Sequence, residues 1–157
     1  MIAAQYCAMK GVDVFTIDLD DFTLMPIRPG LRVGFPLNSA TGTASTATVF
    51  FELDPGAELP VHTDSAEELL IVLQGEAEAR VGDEVGRIGT HEVALVPPMA
   101  PHGLRNVGED VLRVFGTFSS STVVSTFEEG LEGDEPQLFV IGAPIPIAVP
   151  LGEPVPA

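Results

Sequence analysis

The sequence predicts an all-β protein, an antiparallel sandwich or barrel, from three observations. Short apolar or alternating runs recur at roughly the 8–12-residue spacing of all-β domains. Turn chemistry separates them: Asp54-Pro55-Gly56, Gln74-Gly75, Gly82-Asp83, Pro97-Pro98 and Gly108-Glu109-Asp110. Helical periodicity is weak throughout, and the best helix candidate is a turn or two over residues 121–129.

In chain order, strands are expected at residues 12–17, 48–53, 69–74, 76–81, 93–96, 102–107 and 111–119, with an extended run through His62 and Asp64 between the second and third. The 48–53 and 111–119 runs combine β-branched and aromatic residues, which pack well on a pleated surface. In 76–81, Ala77, Ala79 and Val81 alternate with Glu78 and Arg80, the pattern of a strand with one face in water. In 69–73 every residue is apolar, so that strand is expected to be covered on both faces, once by the interior and once by another layer or a partner subunit. Residues 38–46 are small and polar and read as a flexible loop.

The domain expected is a single one over residues 1–137, followed by a Pro-rich arm over 138–157. Prolines 144, 146, 150, 154 and 156 forbid helix and interior strand there, which leaves an extended strip apolar enough to dock on a surface, a neighbouring subunit's included. That tail and the doubly apolar 69–73 strand together predict a homodimer.

Composition excludes several functions. Of 157 residues, 45% are hydrophobic and 19% charged, so the chain is globular rather than disordered. Its net charge is −16, with 23 acidic against 7 basic side chains, which argues against nucleic acid and against an anionic membrane as partners. Cys7 is the single cysteine, which rules out an internal disulfide framework and fits a reducing compartment. No signal-like N-terminal segment stands out, and no apolar run approaches the roughly 18 residues of a membrane helix. The expected localisation is cytoplasmic. Hydrolytic nucleophile elbows and phosphate-cradling glycine loops are absent.

Chemistry concentrates in His62, Asp64, Glu68 and His102. His62 and Asp64 are two apart on an extended run and so share a face. Glu68 opens the next apolar run and His102 follows Pro97-Pro98 to open another. Two imidazoles and two carboxylates converging from three strands suit one divalent transition metal. Glu67, adjacent to Glu68, would point the opposite way. Two readings of Asp64 stay open: it ligates the metal, or it accepts a hydrogen bond that orients a histidine. His91 is expected in a rim loop, Met99 in the loop before His102, and Arg113 at the surface or paired with an acid.

These residues resemble the cupin superfamily. Gly56, His62, Asp64, Glu68 and Gly75 match the spacing of the first cupin motif, with Asp64 where a second histidine is usual. Pro97, Met99, His102 and Asn106 match the second, with Met99 in place of glycine. The resemblance implies a jelly-roll barrel, quercetinase-like in its small single domain, with His62, Asp64, Glu68 and His102 as metal ligands. Fe(II) is the favoured ion, with Mn, Ni, Zn and Cu as alternatives. It implies an enzyme acting on a small-molecule substrate by dioxygenase-type oxidation, with Glu68 as ligand and catalytic proton shuttle. Isomerase, epimerase or lyase chemistry without O₂, and a non-catalytic sensory domain, are the alternatives.

Overall fold

The computed structural model describes residues 14–131, 134–142 and, for the backbone alone, 148–150. Thirteen strands are assigned: β1 (Met25–Arg28), β2 (Leu31–Gly34), β3 (Ala47–Leu53), β4 (Glu58–Asp64), β5 (Glu68–Gln74), β6 (Glu76–Val81), β7 (Glu84–Gly89), β8 (Val93–Val96), β9 (His102–Asn106), β10 (Leu112–Phe118), β11 (Val123–Phe127), β12 (Gln137–Ile141) and β13 (Ala148–Pro150). They form two antiparallel sheets, ordered β1-β2-β3-β10-β5-β8 and β13-β12-β11-β4-β9-β6-β7. From β3 onward the chain passes repeatedly from one sheet to the other, which makes a jelly-roll sandwich. The core between the sheets is built from inward side chains such as Phe51, Leu53, Leu70, Val72, Leu112, Val114 and Val123.

Alternation sets the faces. Along β10, Leu112, Val114, Gly116 and Phe118 are buried and the residues between them only partly so. On β4 the burial pattern brings Pro60, His62 and Asp64 inward. Pro60 has no N–H for a ladder, and the pairing of β4 with β9 shifts between Leu59 and His62, a bulge that accommodates it. Gly103 lies beneath that bulge, where an added Cβ would stand 2.9 Å from the Leu59 carbonyl oxygen.

Three expectations are corrected. The segment read as helix over 121–129 holds β11, because Val123, Ser125 and Phe127 are buried in alternation and the strand pairs with both β4 and β12. The described part of the strand expected at 12–17 is not assigned as strand, although Asp20 beyond it reaches Arg113. Residues 38–46 contain a 3₁₀ turn, Ser39–Thr41, held by a capping box between Asn38 and Thr41.

The outer face of β5 is bare in the single chain: Leu69 and Leu73 are 39% and 36% exposed, beside Val93 and Leu95 at 56% and 55% on β8. β12 spans Gln137–Ile141, and β13 runs antiparallel along it, which sets Pro150 opposite Gln137 at the end of the pairing. The remainder of the Pro-rich tail, with Cys7, lies outside the described residues. No helix among the described residues is long and apolar enough to cross a membrane.

Candidate metal centre

His62, Asp64 and His102 stand on one sheet. His62 and Asp64 project inward from β4, and His102, the first residue of β9, pairs directly with His62. Glu68, the first residue of β5, comes from the opposite sheet, while Glu67 beside it is exposed. All four are buried, between 1% and 7% exposed. One donor atom each from His62, Asp64 and His102 lies within 4.8 Å of the others, the one such cluster of three among the described residues. His102 Nε2 is 3.1 Å from Asp64 Oδ2 and 3.2 Å from Glu68 Oε2, and His62 Nε2 is 3.4 Å from Asp64 Oδ2.

The backbone decides how the imidazoles face one another. His62 Nδ1 lies 2.8 Å from the Pro60 carbonyl oxygen, and His102 Nδ1 lies 2.9 Å from that of Ala100. A carbonyl oxygen only accepts, so Nδ1 donates in both rings and each neutral ring turns a lone pair on Nε2 toward the carboxylates. Four acceptors then meet with no donor among them. Asp64 Oδ2 has no aligned hydrogen-bond partner despite its burial. Acceptors so arranged need a cation between them, and a divalent metal held by nitrogen and carboxylate oxygen fits that need.

Protons answer the same need when no metal is bound. Burial alone would lower the His102 pKa, but Asp64 and Glu68 beside it raise it to about 10. Burial would raise the Asp64 carboxyl, yet the His102 and His62 imidazoles hold it well below the usual carboxylate range. Glu68 moves the other way: burial, with the Asp64 charge adding to it, raises its pKa against the pull of His102. The two carboxylates are thereby driven apart, Asp64 downward and Glu68 upward.

Three further residues shape the centre. The Ser125 hydroxyl donates to Asp64 Oδ1, leaving Oδ2 to face the histidines. Gly116 on β10 leaves room for Glu68, since an added Cβ would overlap Glu68 Oε1 and come within 2.6 Å of Val49 Cγ1. The Phe127 ring stacks on His62, with centroids 4.4 Å apart and planes 15° from parallel. Ser125 and Phe127 were hidden in a segment read as helix. Gly116 had a usable signal, because an isolated glycine inside a strand marks a close approach.

Other expected residues fall outside the centre. His91 sits exposed in the turn before β8 with φ 69°, and Met99 is exposed in the loop before β9 with φ 62°. The left-handed backbone at Met99 is the reason glycine suits that motif position; Gly56 and Gly75, which bound the first motif, also have positive φ, 80° and 95°. Asn106 is structural: its amide nitrogen donates to the carbonyls of Leu53 and Asp110, and its oxygen accepts from the Gly108 N–H. Arg113 faces away from the centre, bonded to Glu52 and Asp20 over the Phe50 ring. Beside the centre lies a small apolar cavity of about 50 Å³ between the two sheets.

Residues 49–118 match the family described as Cupin domain. No curated protein sequence matches the chain. Solved structures similar to it include the cupin domain of Cnp3 from Schizosaccharomyces pombe, 23% identical over 69% of this chain and 70% of that one, with a TM-score of 0.59. The polyketide cyclase RemF from Streptomyces resistomycificus is 18% identical over 68% and 79%, with a TM-score of 0.59. KdgF from a Halomonas species is 19% identical over 69% and 94%, with a TM-score of 0.58. At these identities the likeness is one of fold.

Proposed function

The chain belongs to the cupin superfamily, and on that premise we propose that it is a metal-dependent enzyme acting on a small organic substrate, with dioxygenase-type oxidation as its reaction. The observation that carries this reading is the convergence of His62 Nε2, His102 Nε2, Asp64 Oδ2 and Glu68 Oε2 in one buried cluster, with both Nδ1 atoms turned to backbone carbonyls. His62, His102 and Asp64 would hold the ion from one sheet and Glu68 would complete the set from the other. Fe(II) is the favoured occupant, because a set of histidines and carboxylates with open positions suits non-haem iron. Such an ion supplies Lewis-acid polarisation of a substrate oxygen and a place for O₂.

The chain's own groups supply the rest. Pro60 and Ala100 hold the imidazoles in the tautomer that presents Nε2, and Ser125 fixes the Asp64 carboxylate. Glu68, whose raised pKa makes its carboxylate a stronger base, would accept a proton from a bound hydroxyl and return it, the catalytic role assigned to it here. A basic carboxylate beside the ion also favours a second reading, isomerisation or lyase chemistry by proton transfer without O₂.

Elemental analysis of the native protein beside His102→Ala, followed by oxygen-electrode assays of the iron-loaded form, tests the proposal. About one equivalent of metal, lost in His102→Ala, with substrate-dependent O₂ uptake is the expected result. Turnover without O₂ uptake would move the reaction to proton transfer. Failure of every first-row ion to bind would end the enzyme reading and leave a small-ligand-binding domain. We read the protein further as a cytoplasmic homodimer that buries the exposed face around Leu69, Leu73, Val93 and Leu95; sedimentation equilibrium at micromolar concentration checks the dimer.

A further inference from the structure

We infer that the substrate is a neutral, largely apolar molecule that meets the metal through a single oxygen donor. This rests on the metal-centre reading and extends it to substrate class. The cavity beside the centre is walled by aliphatic side chains and by five phenylalanines, Phe35, Phe51, Phe118, Phe127 and Phe139. Its only polar side chains among the described residues are His62, Asp64, Glu68 and Ser125. The first three belong to the centre itself, and the Ser125 hydroxyl is already given to Asp64.

Among the described residues no arginine reaches this space. Arg32 and Arg113 are paired with Glu52, Asp54 and Asp20 on the outer side of the sandwich, and Arg87 with Glu76. Arg28, Arg80 and Arg105 line a groove on the outer side of the second sheet that adjoins the cavity without bringing their side chains into it. Charge balance then decides the ligand. A divalent ion between the Asp64 and Glu68 carboxylates gives a local sum of zero, so an anionic substrate would bring uncompensated charge among phenyl rings. A neutral molecule carries no such cost. Its apolar body matches the chemistry of the walls, with one oxygen left to turn toward the metal. The mouth is where the cavity and the outer groove share Ile27, Leu59, His62 and Leu131.

The test uses the full chain loaded with Co(II), whose visible spectrum reports ligands at the metal. Three probes are titrated at neutral pH: 4-ethylphenol, 4-ethylbenzoate of similar size but anionic, and oxalate. Stoichiometric Co(II) binding is measured first; its absence sinks the metal-centre reading and this inference with it. With Co(II) bound, 4-ethylphenol is expected to perturb the spectrum and to bind at least about tenfold more tightly than 4-ethylbenzoate, with oxalate weakest. Oxalate or 4-ethylbenzoate binding as tightly as the phenol would overturn the substrate class and leave the metal reading intact. Ile27 is only partly buried, so Ile27→Arg adds a cation at the mouth without filling the core. It should narrow the preference several-fold by strengthening 4-ethylbenzoate; an unchanged ratio would show that charge in this cavity does not select the ligand.

Discussion

The two sheets contribute to the centre in different ways. The sheet containing β4 and β9 brings His62, Asp64 and His102 together by local rules: two positions share a face of one strand, and the third is paired with the first across the ladder. The sheet containing β5 and β10 brings only Glu68, and its carboxylate arrives because the sandwich closes and Gly116 leaves space for it. Three donors therefore depend on register and the fourth on packing between layers. A site divided in this way has a rigid side and an adjustable side, and the adjustable side carries the group assigned to proton transfer.

The largest expected effect comes from breaking the rigid side. His102→Ala removes the residue that faces both carboxylates and should lower metal affinity by more than about a hundredfold. Glu68→Gln should leave a measurable metal affinity while abolishing turnover, because the three donors on the other sheet remain. Calorimetry on both variants checks the division, and equal losses of affinity would refute it. Protonation sharpens the same point. His102 holds its proton up to about 10 in the metal-free protein, so loading must expel that proton. Affinity should therefore rise with pH, by up to about tenfold per unit between pH 7 and 9; a flat profile would mean that His102 is not displaced from its proton by the ion.

The packing side is tested next. In Gly116→Ala the new methyl would collide with the Glu68 carboxylate and Val49, which should destabilise the fold by about 1–3 kcal/mol and displace Glu68. Metal should still bind through the other sheet, with turnover reduced far more than affinity. A loss of affinity as deep as that of His102→Ala would show that the two sides are coupled.

The same distinction explains what was legible beforehand. Strands β3, β5, β6, β8, β9 and β10 carry apolar or alternating runs and were readable from them. β1 and β2 are four residues each around Pro29-Gly30, and β7 is exposed apart from Ile88 and Gly89, so no periodicity announces them. β11 was missed because its short alternation, Val123, Ser125 and Phe127, acquires meaning only between β4 and β12. The spacing of His62, Asp64, Glu68 and His102 was visible because motif distances along a chain are local. That Glu68 comes from the opposite sheet, that Gly116 makes its space and that Ser125 holds Asp64 are consequences of layer packing, which no local spacing encodes.

Ser125→Ala probes a smaller contribution within the rigid side. Losing the hydroxyl frees Asp64 Oδ1 and lets the carboxylate rotate, which should weaken metal binding by about tenfold, the low end for partners of metal ligands. Ser125→Thr keeps a hydroxyl and should restore most of it. Weakening in both variants alike would assign the effect to packing rather than to the hydrogen bond.

The smallest expected effect lies in the loop that feeds His102. Met99 holds φ 62° with its side chain 59% exposed, so the residue bears left-handed strain and returns little by packing. Its N–H donates to the Asp64 carbonyl oxygen at 2.8 Å, a backbone bond that glycine would keep. Relief of strain, about 1–2 kcal/mol, is offset in part by the added freedom of glycine in the unfolded chain, about 0.4–1 kcal/mol. Met99→Gly should thus stabilise the protein by roughly 0.5–1 kcal/mol in denaturant unfolding without changing metal affinity. A changed affinity would mean that this loop, and not the register of β4 against β9, sets where Asp64 and His102 stand.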